Sequence, residues 1–456
     1  MAGRGKRAGA GTAERRRGGP VERPSRLAVL RVRRYRWFFL AQLSSCFGDF
    51  MVAPALAFAV LGLSGSAGDL GLVLAARTVP LVALMLVGGA LADRLPRYAV
   101  MVGADVTRAL VQAATAVLVL AGHAQVGQLM ALQAVHGAAS ALFVPAVSGL
   151  LQQTVPEGQR QSANALLGIQ RSAAQIAAPL LATLLVVTAG AGWAIAADAL
   201  SFAVSALCLA RLRPAEAAAT PVAARSTRRL LGELHDGWRE FRSRSWVWSL
   251  IGAASLTNGC YAVFTVLGPE TSERALGGPG AWGAVLTGFG AGAVTGGAVA
   301  LYVRPRRPLR FAVLAVSLFA APTLAMAWAT SVPTVVGAAF VGGLGLMVFN
   351  PLWETVLQRE VPAASLSKVS AYEWLGSYAM LPLGQSLAGP AAALWGTRDT
   401  LLAVGLAHLA IALAPLAVRD VREMREIRDG SVERDEREVR DPVAVPEERT
   451  TNVRKD

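Results

Sequence analysis

Phe143-Val-Pro-Ala-Val-Ser-Gly-Leu-Leu-Gln-Gln-Thr-Val-Pro156 and Phe349-Asn-Pro-Leu-Trp-Glu-Thr-Val-Leu-Gln-Arg-Glu-Val-Pro362 carry one pattern twice. The Phe, the first Pro, the Leu-Gln pair and the closing Val-Pro fall in identical register, 206 residues apart. A second match, Gly88-Gly-Ala-Leu-Ala92 with Gly296-Gly-Ala-Val-Ala300, recurs at 208 residues. Two independent matches at nearly one separation imply two homologous halves.

The residues around these copies are those of a bilayer-embedded chain. Of 456 residues 54% are hydrophobic and only 16% charged, too little charge to clothe a soluble domain of this size. Stretches such as 311–330 and 401–418 hold no Asp, Glu, Lys or Arg and are long enough, at ~1.5 Å per residue, to cross roughly 30 Å of hydrocarbon. The spacing predicts twelve transmembrane helices at 37–62, 70–91, 99–121, 126–151, 162–188, 193–211, 245–268, 280–303, 309–329, 332–357, 366–394 and 399–418. Twelve spans and one duplication give two six-helix bundles, and an even number per half inserts both the same way up.

Basic residues set the expected orientation. Arg31, Arg33, Arg34 and Arg36 precede the first span, and alternate connections continue with Arg94 and Arg97, Arg160, Arg225 to Arg244, Arg304 to Arg307, and Arg359 with Lys368. The opposite connections hold only Arg274 and Arg398. Both termini are therefore expected in the cytoplasm, with the protein in the cell (inner) membrane. The expected domains are a basic segment 1–36, bundles 37–211 and 245–418, a linker 212–244 and a charged, partly disordered tail 419–456. Within the linker Leu230, Leu231, Leu234, Trp238 and Phe241 recur at helical spacing, the pattern of a helix lying along the membrane surface.

The net charge of +14 does not point to nucleic acid, because the arginines lie where topology wants them. Cys46, Cys208 and Cys260 sit inside apolar stretches as reduced packing residues. His123, His136, His235 and His408 are too scattered for a metal site. The first 36 residues lack an apolar core, so no cleavable signal peptide is expected. No Gly-x-x-x-x-Gly-Lys-Ser/Thr occurs, which argues against direct ATP use, and no cofactor is expected.

Gly89-Ala-Leu91-Ala-Asp93-Arg94-Leu-Pro-Arg97, between spans two and three, resembles the signature loop of the major facilitator superfamily, Gly-x-Leu-x-Asp-Arg-x-Gly-Arg-Arg. Pro96 replaces the second Gly and Tyr98 the final basic residue. The resemblance covers about 37–418. Phe47-Gly-Asp49, Asp105-Val-Thr-Arg108 and Asp198-Ala-Leu-Ser-Phe202 resemble the enterobactin-exporter and macrolide-efflux branch. Ala178-Pro179-Leu-Leu-Ala182 departs from the antiporter pattern Gly-Pro-x-x-Gly, which weakens a claim of drug/proton antiport. The resemblance implies that Asp93 faces the start of the eleventh span when the outer side is open, where the positive helix end near 365–368 favours it. The expectation is a latch between halves, formed by Gly89, Leu91, Asp93, Arg94 and Arg97; the alternative is an ordinary topogenic loop.

Charges inside spans are costly unless paired or hydrated. Asp49 lies about 18 Å from the cytoplasmic face and Arg77 roughly 22 Å, on antiparallel neighbours, so the two are expected to pair, structurally or as a titrating couple. Arg171 and Glu373 lie on helices that hold equivalent positions in the two halves and are candidates for the substrate or proton pathway or for structural pairing; His136 in span four is a further pathway candidate, with simple packing the alternative. Asp105 and Arg108 are expected to form a rim network with the loop motif, Glu354 a second gate with Arg306 or Arg307, and Asp198 a cap or a structural pair near the outer end of span six. Gly288, Gly292 and Gly296 make a flat helix face suited to static packing or to sliding between halves. The functional expectation is an exporter of small amphipathic molecules, driven by the proton gradient through alternating access and working as a monomer. Import or facilitated flux of a metabolite, and a non-transporting scaffold, are the alternatives. No convergent catalytic constellation suggests an enzyme.

Overall fold

The computed structural model describes residues 28–92, 96–212, 239, 242–329 and 331–424. The expected surface helix in the linker falls almost wholly outside them, as do the tail beyond 424 and both charged residues Asp93 and Arg94. Among the described residues the chain is helical without strands. The long helices of the first half are α1 Arg33–Ser64, α2 Ala67–Ala92, α3 Arg97–Leu120, α4 Val126–Thr154, α5 Arg160–Ala189 and α6 Ala191–Ala210. The second half contains α7 Ser245–Ala275, α8 Pro279–Tyr302, α9 Pro308–Ser317, α10 Ala321–Trp328, α11 Val332–Glu360, α12 Ala363–Tyr378, α13 Leu381–Trp395 and α14 Thr397–Leu413, followed by a short α15 Arg419–Glu423. Helices dominate because hydrocarbon offers the backbone no partner, so each span satisfies its own N–H and C=O groups.

The duplicated pattern has one three-dimensional meaning. Helices α4 and α11 are both 29 residues long, and begin and end 206 residues apart. Each stops at the Val of the shared Val-Pro, with Val155 and Val361 extended and the following Pro unable to continue the helix. The next turn repeats as well: Gly190 and Gly396, again 206 residues apart, adopt φ 96° and φ 84°, a region that side chains other than glycine's enter only under strain.

Two spans differ from their expected form. The span expected at 366–394 is two helices, because Pro382 in the first turn of α13 supplies no N–H to carry the ladder through from Tyr378. The span at 309–329 tightens to a 3-10 turn over Leu318–Ala320, one residue before α10 and two before Pro322. With these two counted as single crossings the chain has twelve.

Packing repeats with the sequence. In the first half α1 lies on α5 and α6, α2 on α4, and α3 on α4 and α6; in the second α7 lies on α13 and α14, α8 on α11, and α9 on α11 and α14. Between halves α2 meets α13 and α5 meets α8, which a pseudo-two-fold axis interchanges. The Gly288, Gly292 and Gly296 ladder belongs to the first kind of contact: it lies against the carbonyls of Val336, Phe340 and Leu344 on α11. It is packing inside one half, and the sliding alternative falls away.

Among the described residues the buried apolar packing shared by the halves lies at one end. A single buried apolar cluster takes Leu56, Leu70 and Val73 from the first half and Phe264, Trp282 and Val285 from the second. These lie near the helix ends remote from the chain termini. At the terminus end each half has its own cluster, one around Tyr35, Phe38 and Met101, the other around Trp246, Trp353 and Val369. The joined end is sealed by backbone contact, with Gly389 of α13 against Gly68 of α2. On the terminus side no buried apolar cluster joins the halves among the described residues, and the cleft between them opens there.

Candidate functional site

Five helices of the first half turn polar side chains toward one another. Ser45 and Asp49 are one turn apart on α1, Arg77 is on α2, and Asp105, Arg108 and Gln112 follow one face of α3. Gln133 and His136 come from α4, and Asp198 and Ser205 from α6. Arg77 reaches Asp49 at 3.5 Å. Arg108 reaches the same carboxylate at 3.4 Å, donates to Ser45 Oγ at 3.1 Å and pairs with Asp105. Its guanidinium carbon stands 4.1 Å from the centre of Phe143 and 4.3 Å from that of Phe202, so two ring faces take up the cation where water is absent. Arg108 is only 1% exposed; Asp49, at 38%, is the cluster's opening toward solvent.

The cluster continues in both directions along the half. Ser205 donates to Asp105 at 2.5 Å, Gln112 donates to Asp198, and Gln133 donates to Gln112 at 2.9 Å. Three carboxyl groups thus meet two guanidinium groups. His136 is fully buried, edge-on to Phe202 at 5.5 Å, with neither ring nitrogen hydrogen-bonded. It packs inside the half and lies outside the pocket described below.

This geometry corrects one expectation and decides between the alternatives of another. Asp105 and Arg108 do not form a rim network: Arg108 is eleven residues into α3, about 16 Å along its axis, and turns to Asp49. For Asp198 the structural-pairing alternative holds and the cap does not. Asp198 is fully buried within α6 and hydrogen-bonded by Gln112 of α3. The face it shares with Ser205 on α6 decides its neighbours. Asp105, Arg108, Gln112 and Thr115 recur at helical spacing in an apolar span, and that stripe was the available signal for the cluster.

The second half has a pocket in place of the charge cluster. About 280 Å³ of space lies among α7, α9, α11, α12 and α14. On α11 Phe349 stacks on Trp353, and on α12 Trp374 stacks on Tyr378, at interplanar angles of 6° and 11°. Trp353 Nε1 donates to Glu373 at 2.9 Å, fastening α11 to α12, and Asn258 donates to the Ser377 carbonyl at 2.8 Å, fastening α7 to α12. Glu354 also lines the space. Phe143 and Phe349, equivalent in the repeat, thus serve different ends: one covers a cation, the other walls a pocket.

Glu354 does not form the expected gate. Among the described residues it makes no ion pair with Arg306 or Arg307; Arg306 is exposed, and Arg307 and Arg310 border a surface hollow with Arg422 and Glu423 of α15. Arg171 is exposed on α5 and outside the pocket lining. Of the loop motif, Asp93 and Arg94 lie outside the described residues, and of Gly89 and Leu91 only helical backbone is described. Arg97 lies across Gly149 of α4 so closely that a Cβ there would stand 1.9 Å from its guanidinium.

Twelve crossings, two pseudo-symmetric halves, a cleft closed at one end and polar groups within it define a multi-pass membrane transporter, not an enzyme. The chain belongs to the Major Facilitator Superfamily, whose family model matches residues 38–372. It is 27% identical over 397 residues to the multidrug efflux pump Tap of Mycolicibacterium fortuitum, covering 84% of this chain and 95% of that one. The corresponding pump of Mycobacterium tuberculosis H37Rv is 28% identical over 405 residues, covering 84% and 93%. A shorter match, 30% over 142 residues, spans a third of the uncharacterized transporter YfiS of Bacillus subtilis. Among solved structures the nucleoside transporter NupG superposes with TM-score 0.66 at 13% identity, covering 86% of this chain and 100% of that one. The peptide transporter POT superposes with TM-score 0.65 at 14% identity, covering 86% and 96%. At such identity these two speak for the fold alone.

Proposed function

We propose that this transporter exports small amphipathic molecules by rocking 37–211 against 245–418, using the proton gradient. The observation that carries the reading is the one-sided closure: a single core joins the halves at the end remote from the termini, while separate cores leave the other end apart. Alternating access needs a fold with that division. If the arginine-rich segments mark the cytoplasm, this conformation faces inward and its cleft is open for loading from the cell. The pocket, walled by aromatic rings with a few polar groups, suits an amphipathic guest, and the efflux function in the name of the Tap relatives favours the outward direction. Asp49, with a carboxylate both partly open to solvent and held by Arg77 and Arg108, is the candidate through which protonation reaches the helices.

Everted membrane vesicles expressing the protein should accumulate an amphipathic fluorescent dye when energised, and release it when a protonophore is added. Accumulation insensitive to the protonophore would refute proton drive. No accumulation with any of a chemically varied dye panel, together with uptake by right-side-out vesicles, would replace export by import.

A further inference from the structure

We infer that the pocket of the second half is a binding site for a hydrophobic organic cation, a compact aromatic amine or quaternary ammonium compound. The inference deepens the export reading and rests on it for the direction of transport, not for binding.

Three independent features converge. The first is charge. The chain carries 44 basic side chains against 30 acidic ones, yet among the described residues the pocket is lined by Glu354 and Glu373 and by no Lys or Arg. The charge of the lining is opposite in sign to that of the whole molecule, with the charge of Arg171 on α5 reaching only Tyr378 of the wall. Glu373 is a half-buried carboxylate inside a span without a guanidinium beside it, which is costly to maintain, while Glu354 is exposed near the terminus end of α11; in the first half Asp49 and Asp105 have arginine partners and Asp198 has Gln112. Among the described residues Glu373 has only the Trp353 indole N–H, and Glu354 has no partner. A cation is the complement that both lack.

The second feature is the ring geometry. Phe349 with Trp353, and Trp374 with Tyr378, form two nearly parallel pairs on neighbouring helices. Both ring pairs border the same space as the carboxylates. Trp374 is 45% exposed and Tyr378 37%, so this pair is not consumed in packing. The negative faces of such rings attract organic cations, and more so when water is excluded. A carboxylate beside an aromatic wall distinguishes a lipophilic cation from a metal ion, which would want several oxygens and no rings.

The third feature is size. About 280 Å³ lies just below the roughly 300–1,000 Å³ of small-molecule sites. It admits a guest of one or two rings. Asn258 and Asn350 supply amide groups on the remaining walls, and Asn258 is itself anchored to Ser377.

The test compares two probes of one shape: the cation 4-(4-dimethylaminostyryl)-1-methylpyridinium and its unmethylated, neutral parent at pH 8. Each is titrated by fluorescence into the purified full-length protein in lipid nanodiscs. The cation should bind at least tenfold more tightly. E354Q and E373Q should each weaken cation binding about five- to tenfold while leaving the affinity of the neutral parent within twofold, which also reports that the variants are folded. Equal affinity of the two probes for the wild-type protein overturns the inference, whether or not the variants fold. So does retention of full cation affinity in the E354Q/E373Q double variant. If the cation binds as expected and vesicles fail to export it, the pocket assignment stands and the export reading fails. Export of neutral dyes without any preference for cations gives the reverse.

Discussion

The sealed end of the cleft makes Gly389→Ala a sharp perturbation. A Cβ at 389 would stand 2.1 Å from the Cα of Gly68 and 2.6 Å from its nitrogen. Ordinary contact begins at 3.4 Å, so the two backbones must part by about 1.3 Å. Neither atom belongs to a side chain that could swing aside. Overpacking of this kind costs typically 1–3 kcal/mol, and it is paid only while α2 and α13 touch. In a conformation open at this end the methyl group costs nothing. The ratio of the two conformations should therefore move by a factor of about 5–150 away from the one described here. The assay starts from a protein whose three free cysteines, Cys46, Cys208 and Cys260, are replaced by serine. A single reporter, Ser377→Cys in the terminus-side pocket, is then alkylated in membranes. G389A should slow its modification, because opening the far end closes the near one. Gly62→Ala is the control, since a Cβ there meets nothing within 4 Å. Identical alkylation in G389A and G62A, with both proteins folded, would refute the argument that this contact seals the cleft.

Three further outcomes follow from the polar cluster and the charge pattern. Arg108→Ala should lower stability by about 3–5 kcal/mol, read as lost thermal tolerance of the purified protein, because Asp105 is left buried and uncompensated; D105N/R108Q should be milder than R108A. Asp49→Asn and Arg77→Gln should show a non-additive cycle in folded yield, the double variant recovering part of the single losses, and strictly additive losses would mean that the 3.5 Å contact has no energetic content. If Asp49 also carries the coupling proton, that double variant should still bind dye yet fail to accumulate it in energised vesicles. Reporter fusions after Gly122 and Gly396 should read external and those after Pro156 and Thr220 cytoplasmic; the opposite pattern would invert the conformation assigned to this fold.

The duplicated segment, the charge-free spans and the alternation of arginine-rich connections were sufficient to read twelve crossings in two related halves. Each is a local property repeated along the chain: hydrocarbon forces helices, and their length is fixed by its thickness. Asp49 and Arg77 could also be matched from sequence, since depth along adjacent antiparallel helices is countable. Counting depth failed for Arg108 and left Asp198 open between cap and pair, because the face of the helix decides. Arg108 looked like a rim residue near a basic loop, but Phe143 and Phe202 cover it from two other helices. Glu354 failed in the same way. Its distance from Arg306 and Arg307 along the bundle permitted a gate, while its place beside Trp353 on α11 sends it into the pocket.

What the sequence determined by itself was the number of helices, their duplication and the family, because these rest on periodicity, composition and motif. Which residues meet was left to the tertiary structure. The glycine ladder of α8 could serve an interface between halves or within one, and only the position of α11 chose between them. The side on which the cleft opens had no sequence signal at all. It depends on which of two sets of contacts between halves is formed, and the same chain must be able to make both.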